Sequence, residues 1–101
     1  MSIENELKTV AERTLETRIV GEQYFEGSRD VIKMIALTDN LQLVRQPENP
    51  HDPNAIGVFK DGVQLGFIPK QDNALLIGAE LLYAMRDARH KRSITVVYRV
   101  P

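Results

Sequence analysis

The chain has 101 residues and a formal net charge of −1, and 43% of its residues are hydrophobic against 27% charged. This length suits a single domain with one modest core, and the composition gives no support to a disordered or membrane protein. The nearly balanced charge argues against a protein that coats long duplex DNA, where several phosphates must be neutralised together. It leaves room for a compact site that holds a few nucleotides.

The chain contains no cysteine, which excludes a disulfide framework and a thiolate metal site. No apolar run approaches the roughly 20 residues needed to cross a bilayer. The acidic N-terminal residues lack the basic and apolar regions of a secretory signal. We therefore expect a cytoplasmic protein with no membrane partner.

The N-terminal part is predicted to contain a helix, a strand and a second helix. Apolar residues at helical spacing predict a short amphipathic helix as an N-terminal extension over residues 1–13. Residues 15–21 are rich in β-formers and predict a strand that runs on into Tyr24 and Phe25. Ser28 is then placed to cap the second helix. The apolar positions of that helix are Val31, Ile32, Ile35 and Ala36.

The middle of the chain predicts strands around a long loop and a tight hairpin. Residues 41–45 read as a short strand, and residues 55–59 resume strand character after a proline-rich loop. Asp61 and Gly62 lie between two β runs, which is a strong hairpin signal, and residues 63–68 form the return strand.

The C-terminal part predicts one more helix and a final strand over residues 94–100. Asp72 or Asn73 can cap this helix. Its broad apolar face would consist of Leu75, Leu76, Ala79, Leu82, Tyr83 and Met85. A basic cluster after it is interpreted as an exposed helix end. That cluster comprises Arg86, Arg89, His90, Lys91 and Arg92.

These elements predict a single α+β domain over residues 1–101, mainly β, because strands and helices are mixed without βαβ alternation. The expected architecture is a small, strongly bent antiparallel sheet, or an OB-like, partly closed barrel, with two to three helices on it.

The loop before residue 55 is the most unusual stretch, because three prolines fall within seven positions. They are Pro47, Pro50 and Pro53. Each fixes its own φ and restricts the preceding residue to extended geometry. Asp52 and Asn54 can hydrogen-bond neighbouring backbone amides and so form a self-capped turn. The same stiffness can present His51 and Asp52 to a ligand, and the residues alone leave both interpretations open.

Two further segments carry candidate ligand contacts. Adjacent aromatics on a strand point to opposite faces, so Tyr24 or Phe25 would lie outside the core and could stack on an unpaired base. Ordinary packing of both is the alternative. Lys70 lies at a strand-to-helix junction that suits a phosphate, although it could equally be a solvated lysine.

Catalysis is poorly supported by the residue types present. The only histidines are His51 and His90, and a metal site built on His51 and Asp52 would need a distant third ligand. The sequence has no glycine-rich phosphate loop and no serine in a nucleophile-elbow motif. We expect a protein that is not an enzyme and that uses no metal or cofactor.

Three segments share the order and spacing of a known family. They are residues 17–25, residues 43–58 with the motif NPxDxNAI, and residues 62–73 with the motif LGxIP. Together they resemble the HIRAN domain, over about two-thirds of the chain from residue 17 to residue 85. The likeness is greater to the bacterial forms, which continue into Asp72-Asn73 and an apolar segment.

The resemblance implies a small bent-sheet, OB-like barrel that recognises DNA ends. In eukaryotic members, which are attached to fork-remodelling helicases, the domain holds the 3′ end of single-stranded DNA. By that likeness, Tyr24 would stack on the terminal base and Asp52 would engage the terminal 3′-hydroxyl. Lys70 would meet a phosphate, with Arg18 and Arg45 as further candidates.

Some positions depart from the DNA-binding members. His51 stands where those members carry a tyrosine, Gln23 occupies a basic position, and Phe67 replaces a histidine. All three are retained as candidate nucleic-acid contacts. Asn54, with Pro50 and Pro53, is expected to brace the loop.

The predicted function is a non-catalytic module for single-stranded DNA ends in bacterial DNA repair or replication-fork processing, with a helicase or nuclease as an expected partner. The alternative is a protein-interaction module that binds no nucleic acid and uses either the same groove or the apolar helix predicted over residues 76–85. One exposed patch would favour that alternative. Its members would be Leu76, Ile77, Leu81 and Leu82.

Overall fold

The computed structural model describes residues 11–100, which form a six-stranded antiparallel sheet with two short helices. The strands are β1 (Glu12–Arg18), β2 (Asn40–Arg45), β3 (Ile56–Lys60), β4 (Val63–Phe67), β5 (Glu80–Arg86) and β6 (Ser93–Arg99). The helices are α1 (Ser28–Met34) and α2 (Lys70–Asn73), and 3₁₀ turns cover Glu22–Tyr24 and Ala74–Leu76. Among these residues no helix is long and apolar enough to cross a membrane.

The sheet has the strand order β1-β6-β5-β2-β3-β4 and bends strongly at β2. The first two residues of β2 pair with β5, whereas its last four pair with β3. Two bulges, at Val58/Phe59 and near Leu82, add further bending. One isolated bridge between Val20 and Phe67 brings the two edges of the sheet together at one end. The predicted bent, OB-like α+β fold is confirmed, as a sheet that stays open.

The core lies inside this bend. Its buried members come from five strands, from α1 and from the connections between elements. They are Ile19, Ile32, Ile35, Leu41, Ile56, Val58, Leu65, Ile68, Leu76, Ala84, Ile94 and Val96. Alternate residues of β6, Ile94 and Val96, point into the core as the period of a half-buried strand requires. The predicted strands near residues 41–45, 55–59 and 94–100 are confirmed.

The hairpin between β3 and β4 is also confirmed. Asp61 and Gly62 have φ angles of 49° and 81°, the left-handed geometry that a two-residue turn between twisted strands needs. This turn fixes the register of β4, which carries Phe67 toward the cleft described below.

The predicted helix after residue 72 is wrong. Lys70–Asn73 makes one helical turn, and Glu80–Arg86 is β5, which pairs with both β6 and β2. Gly78 ends the turn with a φ of 78°, and Arg45 Nη2 donates to the carbonyls of Leu76 (2.6 Å) and Ala79 (2.7 Å). Sheet pairing on both sides outweighs the helical spacing of the apolar residues. The basic cluster is not a helix end: it begins at Arg86, the last residue of β5, and its other members lie in the β5–β6 connection.

Three smaller predictions also need correction. Strand β1 ends at Arg18, and Tyr24 lies in a 3₁₀ turn. Gly27, not Ser28, is the N-cap of α1, and the Ser28 hydroxyl donates to the Glu22 carbonyl at 2.6 Å. The predicted N-terminal helix falls mostly outside the described residues, but Glu12 and Arg13 already belong to β1.

Candidate nucleic-acid interface

A cleft of about 670 Å³ opens between the proline-rich loop, the first 3₁₀ turn and the start of α2. Its lining combines an apolar floor with a polar rim. The lining residues are Val20, Tyr24, Phe25, Asn49, His51, Asp52, Ala55, Phe67, Ile68, Lys70 and Asn73. Five of the six residues predicted as nucleic-acid contacts therefore lie around one cavity. They are Tyr24, His51, Asp52, Phe67 and Lys70.

The proline-rich loop is held by hydrogen bonds within itself. Gln46 N donates to the Ala55 carbonyl at 2.9 Å and closes the loop at its base. Asn49 Oδ1 accepts from the backbone N–H groups of His51 (2.9 Å) and Asp52 (3.1 Å). Asn54 contributes its backbone N–H, which donates to Asp52 Oδ1 at 2.9 Å. The self-capped turn and the ligand-presenting loop are thus compatible, because the internal bonds hold His51 and Asp52 at the cleft.

Asp52 is the most constrained polar group of the rim. Its Oδ2 accepts from Asn73 Nδ2 at 2.9 Å, and its Oδ1 accepts from Asn54 N. The bond from Asn73 contributes most to lowering the pKa of Asp52, followed by the Asn54 amide, while the charge of Lys70 also lowers it. Since all three favour the charged form, Asp52 presents an ionised carboxylate at neutral pH.

Tyr24 projects from the 3₁₀ turn and is 76% exposed. The turn begins at Gly21, whose φ is 75°, and Tyr24 N donates to the Gly21 carbonyl at 3.1 Å. The exposure of Tyr24 therefore comes from turn geometry, not from the strand alternation that the sequence suggested. Phe25 packs inward against Phe67, with ring centroids 5.4 Å apart.

The floor of the cleft depends on close backbone approach between β4 and the segment after β1. Val20 and Phe67 exchange two backbone hydrogen bonds of 2.8 and 2.9 Å. A Cβ at Gly66 would lie 2.3 Å from the Val20 carbonyl oxygen, so only glycine allows this approach. The bridge holds Phe67 in the lining of the cleft, which also includes Tyr24.

The remaining candidates occupy different places. Lys70 is the exposed first residue of α2, at the strand-to-helix junction predicted for it. Gln23 does not line the cleft and instead borders a neighbouring depression. Pro50 and Pro53 are exposed on the loop. Arg45 lies outside the cleft lining, and its Nη2 donates to backbone carbonyls of the turn before β5.

Sequence reasoning missed two lining residues that hold the rim, Asn49 and Asn73. Phe25, which was considered beside Tyr24 as a stacking residue, instead shapes the floor. An asparagine two residues before a loop histidine is a recognisable Asx-turn signal. Asn73 carried no such signal, because its partner Asp52 lies 21 residues away in sequence.

Within residues 11–100 no group of three or more histidine and acidic side chains comes together that could hold a metal ion. Instead, His51 and Asp52 are held by hydrogen bonds with amide groups. Their backbone N–H groups donate to Asn49 Oδ1, and Asn73 Nδ2 donates to Asp52 Oδ2. The chemistry of the cleft is hydrogen bonding, aromatic contact and a single exposed cation, which suits recognition of a ligand.

The family model of the HIRAN domain matches residues 13–96, which cover most of the cleft and sheet described above. The chain belongs to the HIRAN domain family. This HIRAN domain is 34% identical over 86 residues to the helicase-like transcription factor of Oryctolagus cuniculus. The match covers 84% of this chain but only 8% of that protein, so the chain spans a small part of its relative's length.

Two solved structures share the fold of this HIRAN domain. A protein from Lactobacillus plantarum superposes with a TM-score of 0.66 at 20% identity, covering 88% of this chain and 97% of the other. The HIRAN domain of human HLTF superposes with a TM-score of 0.60 at 23% identity, covering 84% of this chain and 72% of the other.

Proposed function

We propose that this HIRAN domain is a non-catalytic DNA-binding module that holds single-stranded DNA ends in the cleft and recognises a free 3′-hydroxyl. The observation that carries the proposal is the convergence of an exposed aromatic, an ionised carboxylate and a lysine on one cavity. These are Tyr24, Asp52 and Lys70. Family membership supports the same assignment, since the resemblance gives each of them a DNA contact.

Tyr24 is suited to stack on the terminal base. A base on an exposed aromatic ring contributes about 1–3 kcal/mol to binding, and every base has a face that can stack. His51 is exposed and lines the same cleft, and it can stack or donate a hydrogen bond. Phe67 and Val20 provide an apolar floor against which a sugar can lie.

Asp52 is suited to select the chemical state of the end. Each carboxylate oxygen accepts one hydrogen bond within the protein and has a second lone pair for a hydroxyl of the ligand. A terminal 3′-hydroxyl can donate to it, whereas a 3′-phosphate would place negative charge against a carboxylate. Lys70 stands beside this group and can neutralise an internal phosphate.

The biological setting we infer is DNA repair or replication-fork processing, where free 3′ ends arise. A helicase or nuclease is the expected type of partner, because the chain corresponds to a small part of a helicase-like relative. The domain itself would supply binding only, and catalysis would belong to the partner.

The decisive test compares oligonucleotides that differ only at the 3′ end. Fluorescence anisotropy should show the free 3′-hydroxyl bound about 10- to 100-fold more tightly than the 3′-phosphate, the range of a hydrogen bond to a charged group. Asp52→Asn should remove most of this preference. Glu48→Gln, which neutralises an exposed carboxylate on the same loop outside the cleft lining, should retain it. Equal binding of both ends by the unaltered protein would refute end recognition.

The rival protein-interaction function is not favoured by the apolar segment. Leu76 is fully buried, Leu81 and Leu82 are half-buried in β5, and Ile77 is exposed. The four residues therefore do not form the single exposed patch that the rival function requires.

A further inference from the structure

A second groove of about 660 Å³ adjoins the cleft, and Val20 lines both. It runs along the ends of β1 and β6. Its lining residues are Arg18, Ile19, Val20, Gly21, Glu22, His90, Arg92 and Ser93. Because it carries two arginines, we call it the arginine groove. A strand leaving the cleft past Val20 would enter this groove directly.

The backbone at both arginines is held by hydrogen bonds between β1 and the start of β6. Arg18 is the last residue of β1 and stands opposite Ser93 in the β1–β6 ladder. Ile19 N donates to the Arg92 carbonyl at 2.9 Å, so the backbone on both sides of the groove is hydrogen-bonded together. The groove is therefore preformed, which lowers the entropy cost of binding.

Charge and donors in the arginine groove suit a phosphate. Arg18 is exposed and makes no ion pair within residues 11–100. Arg92 Nε lies 2.8 Å from Glu22 Oε1, so this arginine is paired with a carboxylate within the protein. Two arginines against one glutamate leave one net positive charge in the lining.

His90 adds a further hydrogen-bonding side chain to the groove. Its Nδ1 accepts from Arg92 N at 3.3 Å, which leaves Nε2–H as the donor of the ring. The ring is exposed, and Nε2–H can donate to a ligand oxygen. Donors of this kind fit a phosphodiester, which carries a single negative charge and needs no base-specific contact.

We propose that the arginine groove binds the phosphodiester backbone of the same single strand, beyond the nucleotides held in the cleft. The inference rests on the proposed function, which supplies the strand end. The cleft then selects the end, and the groove adds affinity that does not depend on sequence. Its occupant is single-stranded DNA of sufficient length to pass Val20.

The test measures how affinity depends on oligonucleotide length. Anisotropy titrations would compare a dinucleotide probe with an oligothymidylate of about eight nucleotides, within the usual footprint of OB-type folds. Both probes carry a free 3′-hydroxyl. The unaltered protein should bind the longer probe about 3- to 10-fold more tightly at low salt, as expected for one phosphate contact.

Arg18→Gln should abolish this gain and leave dinucleotide binding unchanged. It should also reduce the slope of log K against log salt by about 0.7 on the longer probe. Arg13→Gln is the matched control, since Arg13 is an exposed arginine of β1 that lies outside the groove lining. His90→Ala is a second variant that should lower the gain, and circular dichroism confirms that each variant is folded.

The possible outcomes distinguish binding in the arginine groove from binding in the cleft. If the unaltered protein binds both lengths equally, the groove inference is overturned while end recognition by the cleft stands. An equal effect of Arg13→Gln and Arg18→Gln, or no effect of Arg18→Gln and His90→Ala, also overturns it. If neither probe binds, the proposed function fails and the inference fails with it.

Discussion

Tyr24 presents an exposed aromatic ring at the cleft. We predict that Tyr24→Ala weakens binding of a single-stranded end about 5- to 150-fold, which corresponds to the 1–3 kcal/mol of base stacking. Stability should change by less than about 0.5 kcal/mol, because the side chain is 76% exposed. Anisotropy and urea unfolding measure the two quantities.

The control for this prediction is Met34→Ala, since Met34 is 82% exposed on α1 and lies outside the cleft lining. It should leave binding unchanged. A similar loss of binding in both variants would mean that Tyr24 is not a specific contact.

Asn73 connects α2 to the loop through a buried amide that is only 3% exposed. Asn73→Ala should cost about 1–3 kcal/mol of unfolding free energy, because it removes the donor to Asp52 Oδ2 from a buried position. Asn54→Ala is the matched control. The Asn54 side chain is exposed and its backbone N–H keeps its bond to Asp52, so the cost should stay below about 0.5 kcal/mol. Equal costs would show that the Asn54 side chain braces the loop.

The lowered pKa of Asp52 makes the free energy of unfolding depend on pH. Because its pKa is lowered from 3.8 in the folded protein, chiefly by the bond from Asn73, its contribution is present above about pH 4. That contribution is lost as the pH falls through the lowered folded value. Asp52→Asn should therefore show a smaller loss of unfolding free energy than the unaltered protein between about pH 6 and pH 2. Urea unfolding across this range checks it, and parallel curves for the two proteins would contradict it.

At the scale of elements, the approach of β4 to the segment after β1 sets the floor of the cleft. Gly66→Ala should destabilise the protein by about 1–3 kcal/mol, since the new Cβ would meet the Val20 carbonyl oxygen at 2.3 Å. Gly57→Ala is the comparison, because its Cβ would meet only side-chain atoms, those of Gln64 and Phe59 at 2.8 Å and of Gln46 at 2.9 Å. Thermal unfolding should show the larger loss for Gly66→Ala, and the reverse order would contradict a rigid contact there.

The elements that sequence reasoning identified are those whose signals are local. The Asp61-Gly62 turn and the alternation around Ile94 and Val96 are encoded within a few residues, and both are observed. The segment Glu80–Arg86 was misassigned because its apolar spacing suits a helix. It forms a strand because β2 and β6 present edges on both sides of it, and no local pattern records those neighbours.

The whole molecule has a formal net charge of −1, and several of its arginines are engaged in contacts within the protein. Arg45 and Arg86 donate to backbone carbonyls, and Arg89 pairs with Asp87 at 2.7 Å. The cations near the cleft are therefore few, with Lys70 on its rim and Arg18 in the adjoining groove. On the proposed function, affinity would therefore come largely from stacking and end recognition.

We predict micromolar affinity for single-stranded ends, with a modest salt dependence. One or two neutralised phosphates give a slope of log K against log salt between about −0.7 and −1.4. Anisotropy titrations over a series of salt concentrations measure it. A slope several times steeper would show that the protein contacts many phosphates, which this charge distribution does not support.

The candidate site was predicted residue by residue, but its assembly was not. Tyr24, Asp52 and Lys70 were singled out by their type and by family resemblance, and they do line one cleft. The partners that set their geometry lie far away in sequence. The bond from Asn73 to Asp52 and the bridge between Val20 and Phe67 exist only once the sheet has folded.

The sequence by itself determined the bent antiparallel sheet, the stiff loop and the residue types of the cleft. Prolines, an Asp-Gly turn and alternating apolar residues act through local backbone geometry, which neighbouring residues specify. Only the tertiary structure decided that Glu80–Arg86 is a strand and that Gln23 lies outside the cleft. It also decided that Arg18 and Arg92 line a second groove. Those outcomes depend on which distant segments pair, and pairing is set by the summed burial of the whole core.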